Sequence, residues 1–431
     1  MNKEFLDTIK SAHFVGIGGI GVSALARMML LRGVVVRGSD RGPSLVTEKL
    51  EHEGVQIFFG HDAKNLAPDT DVVIYSPAIT NDNPELIKAR ELQIPTYTYP
   101  EALGMISRGM RTIAISGTHG KTTTTAMVAE VFIEARLDPT VVVGSLLKKS
   151  GSNFIPGSSN LFVVEACEYK RSFLSLSPEI LVITNIDNDH LDYYGSIEGI
   201  QTAFAEIVAK VPARGAIVCN PDDERVAPVL ANAKAKIVNY TKERLEVSLN
   251  VSGNHNISNA KAALAVSRIL GVDEQSAICG ILKFEGTWRR MEHKGKTVEG
   301  ALVYDDYAHH PTEIRATLQG FRAKYPTGNI RVVFQPHLYS RTKLLFDDFV
   351  ESFSDADEVL VAPIYAAREE VDPTITSDSL AAAIRERRPQ TSTFADTGAL
   401  NEFLSKSITE NDIIVTMGAG DIYKVGEALI K

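Results

Sequence analysis

Short β-branched runs alternate with amphipathic stretches along the chain, a rhythm that parallel α/β units produce because their central strands are buried on both faces. HFVGI (13–17) predicts a strand, VSALARMMLLRG a helix that stops at Gly33, and VVVRG (34–38) and DVVIYSP (71–77) further strands. From Ile94 to Met110 the chain carries Pro95 and Pro100 ahead of a new strand, TIAIS (112–116), so a domain boundary is expected near Gly109. The second block continues with a helix over 122–135, the buried strands LFVVEA and ILVITNI, a helix near 197–210 and the alanine-rich helix of GNHNISNAKAALAVSRILG. A third block opens around Phe284 to Gly295. It repeats the rhythm with ALVYD, a helix over 312–324, IRVVFQP, a helix over 342–353, EVLVAP, DIIVTMG and a terminal helix. The expectation is an α/β protein of three domains, 1–108, 109–285 and 286–431, without a short-period repeat or low-complexity tract.

Composition narrows the class. The 431 residues are 44% hydrophobic and 23% charged, which excludes a disordered chain or a fibre, and about 150 residues per domain suits two or three domains. Cys167, Cys219 and Cys279 are scattered, with no CxxC pair. That fits a reducing cytosol and argues against a zinc ribbon or a secreted disulfide scaffold. No apolar run reaches the roughly 18–20 residues of a membrane span, and acidic residues and glycines interrupt the N-terminus where a signal peptide needs a continuous apolar stretch. A cytoplasmic protein with no nucleic-acid or membrane partner is expected, either monomer or homodimer. The net charge of −9 supplies no global attraction to polyanions, although a local nest of backbone N–H groups can still bind phosphate.

Two of the three blocks open with a glycine-rich turn from strand to helix. Gly117-Thr118-His119-Gly120-Lys121-Thr122-Thr123 follows one strand and precedes a helix. It is shorter than the usual G-x-x-x-x-G-K-[ST] phosphate loop but has the same physics: glycines let N–H groups approach phosphate, and the helix N-terminus adds positive potential. Lys121 would reach the β- and γ-phosphates and the Thr122 hydroxyl would ligate Mg²⁺. The other loop, Gly16-Ile17-Gly18-Gly19-Ile20-Gly21, fits G-x-G-x-x-G, with Asp40 19 positions beyond Gly21 at the end of the next strand. It specifies a diphosphate and a sugar hydroxyl, which NAD and a UDP-sugar both possess. Glu165 ends one buried strand, and Asn185-Ile186-Asp187-Asn188-Asp189-His190 ends the next. A carboxylate and an imidazole beside nucleotide phosphates suit a Mg²⁺ site. The third block adds Arg289-Arg290, Asp305-Asp306-Tyr307-Ala308-His309-His310-Pro311 and Pro336-His337-Leu338-Tyr339-Ser340-Arg341-Thr342, cations at strand ends where a further anionic ligand could sit.

Taken in order, HFVGIGGIG, GTHGKTTT, VVEACEYKRSFL, TNIDNDHLDYY, GNHNISNAKAA, WRRME, DDYAHHPTEI, FQPHLYSRT and TMGAGDIY resemble the Mur ligases of peptidoglycan synthesis over nearly the whole chain, and DDYAHHPTEI and HLYSRT resemble their alanine-adding branch. The resemblance implies a Rossmann-like N-terminal domain, a central P-loop ATPase-type parallel sheet and a Rossmann-like C-terminal domain. It implies that UDP-N-acetylmuramate binds at Gly16, Gly18, Gly19 and Gly21, with Asp40 and Ser76 nearby and Asn185 also in contact. It implies ATP on the Gly117–Thr123 loop, Mg²⁺ (or Mn²⁺) on Thr122, Glu165 and His190, adenine beside Asn256 and Asn259, and Arg290 and Asp306 completing the ATP site. Tyr307, His309, His337 and Arg341 would form the amino-acid pocket, and Lys121, His190 and His309 would carry catalysis, either histidine being a candidate base. The implied reaction phosphorylates the lactyl carboxylate and lets L-alanine displace phosphate.

Cys167 and Lys170 depart from the acidic residues usual in the family's EADExD segment, and Leu338 stands where an arginine is common. Phe204 stands where sister ligases that add later residues carry a lysine that becomes carbamylated, a lysine that the alanine-adding branch generally lacks. The alternatives are a recycling ligase that adds a whole peptide, and a nicotinamide-dependent oxidoreductase built on Gly16–Gly21; the latter leaves the phosphate loop unexplained.

Overall fold

The computed structural model describes residues 8–367, 369–388 and 390–430. Among these described residues, 18 strands form three sheets. The first holds β1 (Ser11–Val15), β2 (Val35–Asp40), β3 (Gln56–Phe59), β4 (Val72–Tyr75) and β5 (Thr96–Thr98), all parallel, in the order β3-β2-β1-β4-β5. The second holds β6 (Arg111–Ser116), β7 (Thr140–Val142), β8 (Phe154–Ile155), β9 (Leu161–Glu165), β10 (Ile180–Ile183), β11 (Ala216–Cys219) and β12 (Lys236–Asn239), in the order β12-β11-β10-β6-β9-β7-β8. Only the β7–β8 pair is antiparallel. The third holds β13 (Glu292–Lys296), β14 (Leu302–Asp306), β15 (Asn329–Phe334), β16 (Glu358–Val361), β17 (Thr391–Thr393) and β18 (Asp412–Met417), in the order β13-β14-β18-β15-β16-β17, with β13 antiparallel.

The continuous apolar runs occupy central strands. β6, β10, β11 and β18 are buried along nearly their whole length, as strands covered by helices on both faces must be. In the first two sheets the order reverses beside β1 and β6, which puts the turns after these strands at topological switch points, where α/β sheets bind ligands.

The proline-bearing stretch ahead of the boundary expected near Gly109 is β5 followed by a helix, Tyr99–Arg108. Pro100 lies in the first turn, where no backbone N–H partner is lost, and a reciprocal Thr98–Glu101 capping box starts the helix. The helix expected over 342–353 is divided into Tyr339–Leu344, Phe346–Val350 and a 3₁₀ turn, Glu351–Phe353, because Leu345 leaves helical geometry at φ −111° and ψ 25°.

The chain forms two compact units. One contains the first two sheets and runs up to Ile186, with Glu198–Arg244 and Ala260–Lys283; the other contains the third sheet from Phe284 onward, with Asp187–Ile197 and Leu245–Asn259. Thus His190 and Asn256, expected with the central block, pack in the second unit. Polar bonds account for the first of these segments: Thr312 Oγ1 donates to Asp187 (2.7 Å), His310 Nε2 meets the Asn188 carbonyl (2.8 Å) and Arg341 pairs with Asp189 (3.0 Å). Among the described residues no helix is long and apolar enough to cross a membrane.

Candidate functional site

In the first unit both glycine loops have the backbone that their sequences require. Gly16 has φ +77°, and a Cβ there would lie 3.1 Å from Ser76 Cβ, so Ser76 does stand beside the loop. Gly18 N–H donates to Asp40 Oδ2 (2.7 Å). Gly19 caps the helix Ile20–Leu30 without a side-chain partner, leaving its first turn open to an anion. A Cβ on Gly21 would meet the Tyr99 ring at 2.5 Å. The structure therefore brings together Gly16, Gly18, Gly19, Gly21, Asp40 and Ser76, with Tyr99 as a neighbour that sequence reading missed.

The second loop connects β6 to the helix Lys121–Glu134. Gly117 has φ +127° and Gly120, the cap, φ +82°. Thr118 N–H donates to the Asn185 carbonyl (3.1 Å) and His119 N–H to Asn185 Oδ1 (2.9 Å), while Asn185 Nδ2 and Thr184 Oγ1 donate to the His119 carbonyl (3.1 and 2.6 Å). Asn185, expected against substrate, thus spends its amide on shaping the phosphate loop. Lys121 Nζ donates to the carbonyls of Gly117 (2.6 Å) and Thr118 (2.9 Å) and to Glu168 Oε1 (2.9 Å). Burial alone would lower the lysine pKa; Glu168, Cys167 and Glu165 outweigh it and raise it, so the ammonium is kept charged.

Thr122 Oγ1 donates to Glu165 Oε1 (3.0 Å), and Glu165 Oε2 accepts from Gly144 N–H (2.7 Å). Thr123 is buried in the same helix turn. A hydroxyl and a carboxylate at the end of β9 offer hard oxygen donors suited to a small divalent cation. Glu168 is the principal residue missed here; its signal was a second carboxylate three positions after Glu165. Among the departures, Cys167 is exposed, and Lys170 has φ +50° with its ammonium over the Tyr169 ring (5.6 Å). Phe204 is core, edge-on to Phe173 at 5.2 Å.

In the second unit, Asp306 ends β14 and accepts from the N–H groups of Met291 and Ala308 (both 2.7 Å). Burial raises its pKa to about 6, with Arg290 opposing. Arg290 lies over the Tyr307 ring (5.2 Å) and 3.8 Å from Glu313. Asn256 Nδ2 donates to the Ser252 carbonyl (2.7 Å), and its Oδ1 accepts from Asn259 (3.2 Å).

Tyr307, His309, His337 and Arg341 are brought together as expected. The rings of Tyr307 and His309 are 5.2 Å apart, those of His309 and His337 6.0 Å, and Arg341 Nη1 lies 3.1 Å from His337 Nδ1. His337 also stacks on Tyr365 at 5.6 Å. Burial lowers the His309 pKa to about 3, with Glu313 opposing, so the ring is neutral at pH 7. Its Nδ1 lies 2.9 Å from the Tyr307 carbonyl, which selects the Nδ1–H tautomer and leaves Nε2 as an acceptor. Arg341 donates twice to Asp189 Oδ1 (3.0 and 3.2 Å). Burial would raise Asp189, but Arg341 together with the neighbouring histidines more than reverses this and holds its carboxyl well below the usual carboxylate range. His190, at φ +54°, donates its N–H to Asp189 Oδ1 (2.8 Å). Asn188, Asp189, His190, Leu338, Ser340 and Arg341 line a cleft that opens to solvent. Leu338 is buried there at φ +69°.

A parallel sheet bearing a phosphate loop, next to a second glycine loop at a sheet switch point, defines an α/β enzyme that handles nucleotides. The chain belongs to the Mur ligase family. It matches the Mur ligase family catalytic domain over residues 11–111, the Mur ligase middle domain over 115–246 and the Mur ligase glutamate ligase domain over 289–420. The UDP-N-acetylmuramate–L-alanine ligase of Clostridium acetobutylicum is 43% identical, covering 98% of each chain. That of Clostridium kluyveri is 42% identical, covering 99% of each. The crystal structure of UDP-N-acetylmuramate–alanine ligase from Thermotoga maritima has a TM-score of 0.82 at 30% identity, over 97% of this chain and 98% of that one. A murein peptide ligase from Psychrobacter arcticus has a TM-score of 0.72 at 24% identity over 97% of this chain and 98% of that one, a likeness of fold.

Proposed function

We propose that the chain joins L-alanine to the carboxylate of UDP-N-acetylmuramate with conversion of ATP to ADP and phosphate, a cytoplasmic step of peptidoglycan precursor synthesis. The observation that carries this reading is the Gly117–Thr123 loop with Lys121 charged above it and the Thr122–Glu165 pair at its side; the relatives' activity supplies the two substrates. The N–H groups of Gly16–Gly21 hold the diphosphate, and Asp40 and Ser76 border it. Lys121 leaves Glu168 for the transferring phosphoryl group and offsets its charge. Thr122 and Glu165 would hold Mg²⁺ (or Mn²⁺), which would supply Lewis-acid charge neutralisation at the phosphates. Within the second unit Asn256 and Asn259 would meet an adenine and Arg290 an anion, and Asp306 fixes the turn that carries Arg290 through Met291.

A carboxylate is a poor electrophile, and its acyl phosphate is a good one; the amine then attacks and phosphate leaves. Tyr307, His309, His337 and Arg341 bind the amino acid, Arg341 facing its carboxylate. A neutral His309 can accept a hydrogen bond from the ammonium without repelling it. With a pKa of about 3 it orients the amine rather than deprotonating it, because a useful base titrates near the working pH.

Mass-resolved product analysis with ATP, UDP-N-acetylmuramate and either single amino acids or a tripeptide tests the reading. An alanine-dependent release of ADP with a one-residue mass gain is expected, and turnover with the tripeptide alone would replace this reading by a recycling ligase. Lys121→Ala should abolish turnover and leave UDP-N-acetylmuramate affinity within about threefold, since its glycine loop lies on another sheet.

A further inference from the structure

The loop between β7 and β8 is bonded at one end to Glu165 and at the other to the helix that carries the first glycine loop. Gly144 N–H donates to Glu165 Oε2 (2.7 Å), and a Cβ on Gly144 would stand 2.4 Å from that carboxylate. Backbone and carboxylate are therefore in direct contact, with no room for slack. Asn153, fully buried, uses its amide on the other side. Its Nδ2 donates to the Ile20 carbonyl and to Ser23 Oγ (3.0 Å), and its Oδ1 accepts from Arg27 Nη1 (2.7 Å). Ile20 is the first residue of the helix that follows Gly16–Gly19.

The two ends are joined through the backbone. The Asn153 carbonyl accepts from Val143 N–H (3.0 Å), the residue before Gly144. Lys49 Nζ adds a tether to the Gly151 carbonyl (2.8 Å). A buried amide with its donors and acceptor engaged has nowhere else to turn; leaving its partners unmet costs about 1–3 kcal/mol. When the first turn of the Ile20–Leu30 helix moves, Asn153 must follow, and Val143 and Gly144 with it.

We propose that Asn153 is a positioning residue that couples the glycine-loop helix to Glu165, so that a sugar diphosphate on Gly16–Gly21 and a divalent cation at Thr122–Glu165 strengthen each other's binding. The proposal rests on the function given above, and linkage makes the coupling reciprocal.

Titration calorimetry on the full chain, with a non-hydrolysable ATP analogue present, measures Mg²⁺ affinity with and without UDP-N-acetylmuramate. The expected tightening is on the order of tenfold, within the range usual for coupled sites. In Asn153→Ala it falls below about twofold while the affinity for each ligand alone stays near wild type. Asn153→Asp keeps the side-chain shape and the acceptor for Arg27 but loses the donor to Ile20, and should behave alike. A folded variant that retains the wild-type factor overturns the proposal. Hydrogen exchange on the unmutated protein decides the matter if neither variant folds: UDP-N-acetylmuramate alone should slow exchange at the Val143 and Gly144 amides, and unchanged rates there reject the coupling. A wild-type protein that does not bind UDP-N-acetylmuramate would instead refute the function, a separate and recognisable result.

Discussion

Single residues at this site are defined more by what surrounds them than by their type. His309 is the clearest instance. As a free imidazole it would titrate near neutrality, but burial lowers its pKa to about 3. The folded state thus refuses a proton that the unfolded state accepts at about 6.5. Its stabilising contribution is whole above that pH and is lost as pH falls toward 3. Between pH 7 and pH 5 the loss amounts to roughly 2 kcal/mol. Urea melts of wild type and His309→Gln at the two pH values should show their stability difference narrowing by that order on acidification; parallel pH profiles would show that His309 is protonated in the fold. Lys121 illustrates the converse. A carboxylate partner keeps it charged in a buried place, and that partner, Glu168, could be suspected from VVEACE only as one acid among several.

At the scale of elements, the two strand–loop–helix units carry the chemistry and their glycines hold the shape. Gly117 shows why. Its φ of +127° is open to glycine but strained for other residues, and a Cβ would fall 2.0 Å from Thr184 Oγ1 and 2.9 Å from the Asn185 carbonyl. Gly117→Ala should therefore lose more than about 2 kcal/mol of stability and most nucleotide affinity, measured by denaturant melts and by titration with an ATP analogue. Wild-type melts would mean that the loop does not need this geometry. The helix Tyr99–Arg108 carries a different lesson. Pro95 precedes β5, while Pro100 lies in the helix's first turn, where a helix tolerates it, and Thr98 caps the turn. Position within the turn decides what a proline does, and a one-dimensional reading of composition does not supply it.

For the whole molecule, contacts divide the chain into two compact units rather than one per sheet. Separate cores with their own polar networks need not melt together. Calorimetry should give a van't Hoff enthalpy below the calorimetric one, and UDP-N-acetylmuramate should raise chiefly the transition of the unit that contains Gly16–Gly21. A single transition with equal enthalpies would contradict this.

Much of this protein is written locally. The α/β rhythm, both glycine loops and Glu165 beside a nucleotide loop follow from periodicity and motif, because strand burial and phosphate binding are properties of a few consecutive residues, while the Tyr307–Arg341 cluster is implied only by the resemblance to the Mur ligases. Only the tertiary structure decided the partners of these groups. It placed Glu168 on Lys121, Asp189 on Arg341, Asn185 beneath the phosphate loop and Asn153 between Ile20 and Val143. It also drew Asp187–Ile197 into the second unit. Apart from the Val143–Asn153 bond, these pairings join residues dozens to more than a hundred positions apart, and they depend on where the packed sheets bring groups to about 3 Å, a distance that no local pattern encodes.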